Sequence, residues 1–590
     1  MIASLMVLAA VDYAGSRDIQ WPEFGGELAG TGFSQARQIN TSNVHKLKQA
    51  WIYHTGDQQG NTPIQCTPLV VDGTMYLVTA GHRVVALNPA TGKPNWAFDS
   101  KIDSSRSGHT RSSRGVAFAR FGWGSGVQRR IFYGTPDGRI LSIDATKGTL
   151  DPEFKTVDLR HELGTNGYVG ISSAPTVYGD LVFVGIASGE GRGAAPGHIM
   201  AFSARTGKRK WTFEVLSKDQ IERGIGAAGA WNGYVVDQKH GVLFATTGSA
   251  APDFDGRDRP GDNLYANCVL ALDARNGKKL WHYQTVHHDL WDHDNASRPL
   301  LCQIKRDGKL VEVVAVLTKT GFCFVLDRKT GKPVFGVKEV PVPPSTMPGE
   351  MASKTQPEPI LPPALAPTLF DLSQVTNISA ASRDSVLKLL SGLSYGEKYL
   401  PPTSEGTVVS PGYWGGSPWS GGSFDPRTNT LFANTNNLPG IMSTPANYRM
   451  LVDHEGYPGS KPPWGMLTAI DLNSGKFRWQ KPLGEYKELT LRKIPQTGTP
   501  NLGGTLTTAG NLVFVGATCD QMLRAFDSRT GKVLLQHPLP ASAFAAPMTY
   551  EINGHQYIVV AASGGGFGKQ FGFDRGPVSD SFVCLSLPKS

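Results

Sequence analysis

Short apolar runs recur along the chain, each closed by turn-forming residues. "PLVVDGTMYLVTA" (68–80), "APTVYGDLVFVGIA" (174–187) and "TLTTAGNLVFVGAT" (505–518) are examples. Val, Ile, Phe and Thr fill these runs and Gly, Asn or Asp separates them, so they predict antiparallel strand pairs. A second pattern follows each pair: an apolar strand, then Asp or an equivalent, then a turn with Gly, then a strand opening on a large side chain. It reads "ALNPATGKPNW" from Ala86, "SIDATKGTLDP" from Ser142, "AFSARTGKRKW" from Ala201 and "ALDARNGKKLW" from Ala271. It returns as "VLDRKTGKPVF" from Val325, "AIDLNSGKFRW" from Ala469 and "AFDSRTGKVLL" from Ala525. The starts are 54 to 70 residues apart, except for one gap of 144.

Asp can hydrogen-bond the backbone of the tight turn, and Gly supplies its positive φ. The Trp that follows is a large flat group able to pack on the next unit. Each repeat therefore predicts about four antiparallel strands, the signature of a β-propeller blade. "VCLSLP" (583–588) ends the chain without its Gly-Trp half, while "LKQAWIYHTGD" (47–57) has a Trp strand with no turn before it. The expected fold is all-β: an eight-bladed propeller whose N-terminal strand completes the last blade and leaves no open sheet edge.

The long gap holds "VPVPPSTMPGEMASKTQPEPILPPALAP" (340–367), expected to be too Pro-rich for regular structure. "NISAASRDSVLKLLSGL" (377–393) has apolar residues at helical spacing, with Ser379 as its expected N-cap. Residues 337–403 are read as an insertion on one face of the ring, and residues 17–590 as the propeller that carries it.

Composition agrees with many short strands. The 590 residues include 69 Gly and 40 Pro, are 40% hydrophobic and only 18% charged. The net charge of +9 is spread out, with no Lys/Arg run resembling a nucleic-acid arm. Six cysteines are too sparse for a disulfide framework, and none forms CxxC or a C-x-x-C-H haem site. "MIASLMVLAAVDYAGS" (1–16) is too short to span a membrane and lacks a basic start, so it reads as an export-signal remnant or an unstructured start.

Candidate chemistry gathers in "HHDLWDHD", His287 to Asp294, directly after a repeat's Trp strand and so in a loop between blades. Asp292 and Asp294 alternate and share a face if the loop is extended. They suit a hard cation, a proton acceptor or a polar loop. Glu190 sits among glycines in "GIASGEGRG", a ligand-approach segment or a surface loop. Arg114 directly precedes a strand in "SSRGVAF", suited to a ligand carboxylate or to a salt bridge. Lys319 in "LTKTGFCFVLD" is read in an otherwise apolar strand, where a lysine needs a partner. Trp231 and Trp419 are stacking plates or core.

With those residues in view, the chain resembles the pyrroloquinoline quinone (PQQ) dehydrogenases, eight-bladed propellers with Trp-bearing repeats. The likeness runs from "WPEFGGELAGTGFS" (21–34) to "SLP" (586–588). "VHHDLWDHD", "PGEMASKTQPEP", "GTPNLGG" and "ATCDQMLRAFDSRTGK" look most like the membrane-bound glucose, quinate and polyol dehydrogenase branch. The resemblance implies that Asp292 is the catalytic base and Lys319 the donor to the reactive quinone carbonyl. It implies Glu190, Ser249, Asp292 and Asp294 around a metal. Arg114, Trp231, Trp419, Asn436 and Asp520 would hold the cofactor, with His109 in place of the vicinal cysteine pair of alcohol-oxidising relatives. Three departures stand out. Ser249 replaces the usual Asn ligand, Pro418 stands where an Asn is expected, and no block of apolar N-terminal helices or trailing haem domain is seen.

The implied cofactors are PQQ and Ca²⁺, with Mg²⁺ or a lanthanide as alternatives. The implied partners are a small alcohol or sugar and a quinone or other electron acceptor, with no nucleic acid. The implied location is the periplasm, peripheral to the inner membrane. Two other readings share the repeat: a non-catalytic scaffold propeller of the outer-membrane assembly type, and a family member without activity.

Overall fold

A computed structural model of the protein describes residues 18–108, 112–122, 126–445 and 447–588. The expected export remnant at 1–16 and His109 lie outside the described residues. The chain lays down one antiparallel sheet after another. Strands Leu69–Val71, Thr74–Val78, Arg83–Leu87 and Pro94–Asp99 pair in sequence order to make the first. Further sheets follow within 117–158, 176–213, 234–284, 300–327, 423–482 and 505–538. The last sheet joins Met548–Ile552, His555–Ala562 and Ser581–Ser586 to Lys48–His54 from the other end of the chain. Its register runs Lys48↔Ser586 to His54↔Ser581, so the N-terminal strand completes this sheet as expected.

The first strand of each sheet touches the first strand of the next. This series runs from Leu69–Val71 through Ala117–Phe121, Thr176–Tyr178, Tyr234–Asp237, Leu300–Arg306 and Ser423–Asp425 to Thr505–Thr508. One apolar cluster containing Val70, Leu506 and Met548 joins the last sheets to the first. Sheets arranged around an axis by their inner strands are the layout of a β-propeller. All six cysteines are buried free thiols. Among the described residues no helix is long and apolar enough to cross a membrane.

The repeat motif explains how neighbouring sheets lock. Trp281, on the outer strand of one sheet, donates its indole N–H to the carbonyl of Arg328 in the next sheet's turn, at 3.0 Å. Three residues later Gly331 has φ +72, and a Cβ there would lie 2.5 Å from the Trp281 ring. Gly thus meets two demands, a left-handed turn and room for an indole. The same seam recurs as Trp51 to Pro89 with Gly92, Trp96 to Ala145 with Gly148, Trp211 to Ala274 with Gly277, and Trp479 to Ser528 with Gly531. Where a unit lacks Trp, Phe335 takes its place against Gly475.

The insertion departs from expectation in one part. The Pro-rich stretch is not irregular throughout: Val337–Pro341 pairs with Thr355–Pro359 in a two-stranded hairpin. Pro357 and Pro359 are tolerated because a two-stranded ribbon leaves each strand an outer edge where no N–H is needed. The helix forms as expected, Ala380–Leu390, with Ser379 Oγ accepting from Ser382 N at 3.0 Å. Val386 and Leu390 bury its inner face.

Candidate active site

A cleft of about 1110 Å³, counted to its open mouth, collects side chains from loops at the ends of successive sheets. Arg114, Glu190, Trp231, Ser249, Asp292, Asp294, Lys319 and Trp419 all line it. Residues scattered over three hundred positions thus meet at one place, as ring architecture allows.

The loop 287–294 is held from both sides. Asp289 is its staple: it accepts from Trp291 N at 2.9 Å, His293 N at 2.8 Å and Asn267 Nδ2 at 2.9 Å, and from the Ser249 hydroxyl. The insertion clamps the outside. His288 Nε2 lies 2.9 Å from Glu350 Oε1, both side chains being buried. Glu350 Oε2 also accepts from Gly256 N at 2.6 Å, where a Cβ would lie 2.3 Å from His288. Gln356 closes two bonds with the His287 backbone, and the Trp291 indole donates to Leu400 O at 2.8 Å. His287, His288 and Trp291 therefore build the loop.

What the clamp presents is Asp292, whose φ is +55. This is a left-handed conformation that Asp tolerates better than most residues. Its Oδ1 lies 2.7 Å from Lys319 Nζ, and Asp294 Oδ2 lies 2.9 Å from the same ammonium. Lys319 is not in a strand. It sits in the tight turn after Lys309–Leu317, where its N–H donates to Asp294 O at 3.2 Å and its carbonyl accepts from Gly416 N at 2.7 Å. A turn at a strand's end aims the side chain into the cleft, which the apolar run around it did not reveal.

The electrostatics separate the two acids. Burial pushes the Asp292 carboxyl well above the usual carboxylate range, opposed by Lys319 and reinforced by Asp294. Burial acts the same way on Asp294, but Lys319 and the Ser249 N–H, 2.5 Å away, outweigh it and hold Asp294 below that range. For Lys319 burial alone would favour the neutral amine, and the two carboxylates reverse this and keep it charged. One acid is thus a stable anion and the other a proton acceptor of raised affinity.

Arg114 is buried, with Nε and Nη1 lacking a hydrogen-bond partner among the described residues, and lies 5.2 Å over the Trp231 ring. Burial without a counter-ion pushes its pKa down to about 9. Glu190 stands exposed at the rim. The Trp419 indole N–H is buried without a partner among the described residues. The structure does not bring Asn436 or Asp520 to the cleft wall. Asn436 Oδ1 accepts from Asn501 N at 2.8 Å and its Nδ2 donates to Asn501 O at 3.0 Å. Asp520 pairs with Arg524 and accepts from Glu485 N at 2.9 Å. Both serve the loops behind the site.

Sequence reasoning missed Asp253, a buried carboxylate of the cleft whose pKa is raised by burial, then by Glu190 and Asp294. It lies four residues after Ser249, a spacing that offered a signal. Aromatic lining residues such as Tyr413, Trp414 and Phe567 offered none. Glu190, Asp253, Asp292 and Asp294 surround the cleft, yet no three of them bring ligand oxygens within 4.8 Å of one another among the described residues.

A lone buried guanidinium beside an indole face, next to a lysine shared by two acids, fits a flat polyanionic cofactor and a proton-taking base. That is the class of the quinone-cofactor dehydrogenases. The profile of the PQQ glucose/ethanol/alcohol dehydrogenase β-propeller domain matches residues 21–558, and the chain belongs to this family. It is 33% identical over 650 residues to quinoprotein glucose dehydrogenase A of Acinetobacter calcoaceticus, covering 97% of this chain and 80% of the relative. The glycerol dehydrogenase large subunit of Gluconobacter thailandicus is 32% identical over 640 residues, covering 96% and 85%. The crystal structure of the quinohemoprotein alcohol dehydrogenase from Comamonas testosteroni superposes with a TM-score of 0.73 at 27% identity, covering 97% and 82%. The protein is a PQQ-type dehydrogenase acting on CH–OH groups, and the scaffold reading is set aside.

Proposed function

We propose that the sheets are eight blades of one propeller spanning 17–590, and that the cleft oxidises a sugar, polyol or other alcohol hydroxyl with PQQ and a metal ion. The observation that carries this is the Lys319 ammonium held between Asp292 and Asp294, in a cleft shared with the buried Arg114, whose Nε and Nη1 have no hydrogen-bond partner among the described residues.

The residues fit the cofactor's chemistry. Arg114 would bind a carboxylate, Trp231 and Trp419 would cover flat faces, and Lys319 would donate to a carbonyl oxygen. Gly248 keeps the floor open, because a Cβ there would meet Asp294 Oδ1 at 2.3 Å and Trp231 Nε1 at 3.0 Å. Glu190, Asp292 and Asp294 would hold a hard cation, with Asp253 a further carboxylate nearby. Ser249 donates its proton to Asp289 and accepts from Asn267 Nδ2 at 3.4 Å, leaving one lone pair to offer a cation. Ca²⁺ suits this oxygen set, with Mg²⁺ or a lanthanide as alternatives. When bound, PQQ supplies a two-electron acceptor and the ion a Lewis acid.

The chain's own part is proton handling and positioning. Asp292 takes the substrate hydroxyl proton at its carboxylate, whose raised pKa makes it a stronger proton acceptor than an ordinary carboxylate. Lys319 fixes Asp292 through the 2.7 Å pair and would place its positive charge beside the carbonyl oxygen of a bound cofactor. Asp294 stays ionised and keeps Lys319 protonated. Electrons would pass to a quinone or other acceptor, on the periplasmic side of the inner membrane. The test is to add PQQ and Ca²⁺ to the protein and record the quinone absorbance. Bleaching by an added alcohol, coupled to dye reduction, is expected. A spectrum that no alcohol changes refutes the proposal.

A further inference from the structure

Besides its acids and Lys319, the cleft has a wall of aromatic rings. Tyr413 and Tyr448 lie 4.5 Å apart between ring centres, Trp414 and Phe571 5.8 Å, and Trp419 and Phe567 5.9 Å. Phe567 and Phe571 are themselves stacked at 5.9 Å with 17° between planes. All six line the cleft. They come from two places, the segment 413–448 beside the insertion and the short helix Gly566–Gln570 with its C-cap Phe571, a helix that opens on the last of three left-handed glycines. Phe567 is 45% exposed and Tyr448 37% exposed. Large rings left open beside a catalytic base mark a surface that waits for an apolar partner. Four polar groups interrupt the wall: the Tyr413 and Tyr448 hydroxyls and the Trp414 and Trp419 indole N–H groups. Trp414 donates to Asn501 O at 3.4 Å, while the Tyr413 hydroxyl and the Trp419 N–H are buried without a partner among the described residues.

Charge adds a second constraint. Among the described residues lining the cleft, Glu190, Asp253, Asp292 and Asp294 face only two cations, Arg114 and Lys319. Lys319 is committed to Asp292 and Asp294, and Arg114 lies over Trp231. No cation of the described lining is left at the mouth for a substrate carboxylate.

We propose that this site selects neutral alcohols whose hydroxyl is carried on, or next to, a ring with an apolar face, and discriminates against anionic and small acyclic ones. The inference rests on the dehydrogenase reading above and narrows it. A ring face stacks on Phe567, Phe571 and Trp414, while the Tyr413 hydroxyl, able to donate and to accept, orients it. Two sources share this chemistry, a pyranose with its C–H face and an aryl alcohol.

The test uses the holoenzyme, reconstituted with PQQ and Ca²⁺, on benzyl alcohol, D-glucose, glycerol and quinate with one artificial acceptor. Benzyl alcohol or glucose, and which of the two tells the source, is expected to exceed both glycerol and quinate in kcat/KM by about 10-fold or more. Phe567→Ala is expected to shrink the ring-to-glycerol ratio about 10-fold, mainly through KM, and Phe567→Trp to restore it. Quenching of tryptophan fluorescence by benzyl alcohol or glucose should weaken in Phe567→Ala to match. Glycerol or quinate used as well as the ring substrates overturns the selectivity and leaves the dehydrogenase reading standing. Turnover of none of the four overturns both.

Discussion

Trp281 and Trp291 are ten residues apart, both buried, and each donates its indole N–H to a distant carbonyl. Their partners differ in kind. Trp281 reaches Arg328 O in the next sheet's turn, a contact that recurs around the ring with other tryptophans. Trp291 reaches Leu400 O at the end of the insertion, a contact made once. The seam is stability by repetition, and the clamp is one-off geometry that aims Asp292 at Lys319. A propeller can therefore keep its frame while changing its chemistry, because different residues carry the two tasks.

The largest expected effects set these tryptophans against each other. Trp281→Ala should lower stability by about 3–5 kcal/mol through the lost indole and the cavity left behind, while kcat of the folded enzyme stays within a few-fold. Trp291→Ala should cost similar stability and also lower kcat by 10-fold or more, since a misplacement near 1 Å is enough. Thermal melts and turnover per folded molecule check both. Equal kcat losses in the two variants would break the division.

Glu350→Gln sharpens the clamp. It keeps the shape but weakens the His288 and Gly256 bonds, at an expected cost of about 1–3 kcal/mol. The loss should appear in kcat more than in KM for the alcohol. A variant as active as the parent would mean that the insertion does not aim the loop.

Gly331→Ala tests the seam from its other side. The left-handed backbone alone costs about 1–2 kcal/mol, and the Trp281 ring adds to it. The melt should drop with kcat unchanged. The smallest effect concerns pH. His198 is buried in the frame, and burial holds its pKa below the usual value, with Glu214 opposing. Its Nδ1 accepts from Val215 N at 3.2 Å, which needs the neutral ring. Below about pH 6.5 the unfolded chain takes up a proton that the folded one resists. Stability from this group is therefore full above that pH and lost as pH falls. Melts between pH 7.5 and 5.5 should fall less in His198→Asn than in the parent.

The frame was the legible part. Asp-turn-Gly-Trp units announce themselves because each strand pair is local and each seam uses the same residues. The missing half-blade at one end and the orphan Trp strand at the other also foretold the pairing of Lys48–His54 with Ser581–Ser586. The site was legible where a residue broke its surroundings: three acids in eight residues, a lysine in an apolar run, an arginine before a strand. It was not legible where the signal was spatial. Asp253 looks like any acid in a Gly-Pro loop until burial and the neighbouring carboxylates are known. Asn436 and Asp520 looked equally eligible, yet backbone partners behind the cleft claim them. The Pro-rich hairpin escaped because proline statistics describe sheet interiors, not two-stranded ribbons.

One measurement bears on the centre of the account, the role of the Asp292–Lys319 pair. Asp292→Asn is reconstituted with PQQ and Ca²⁺, its quinone absorbance is recorded, and single-turnover bleaching by the preferred alcohol is timed. The account predicts cofactor binding through Arg114 and Trp231 with bleaching slowed about 10²–10⁴-fold, the span a positioned general base supplies. Bleaching at the parent rate by a variant that binds the cofactor would contradict it.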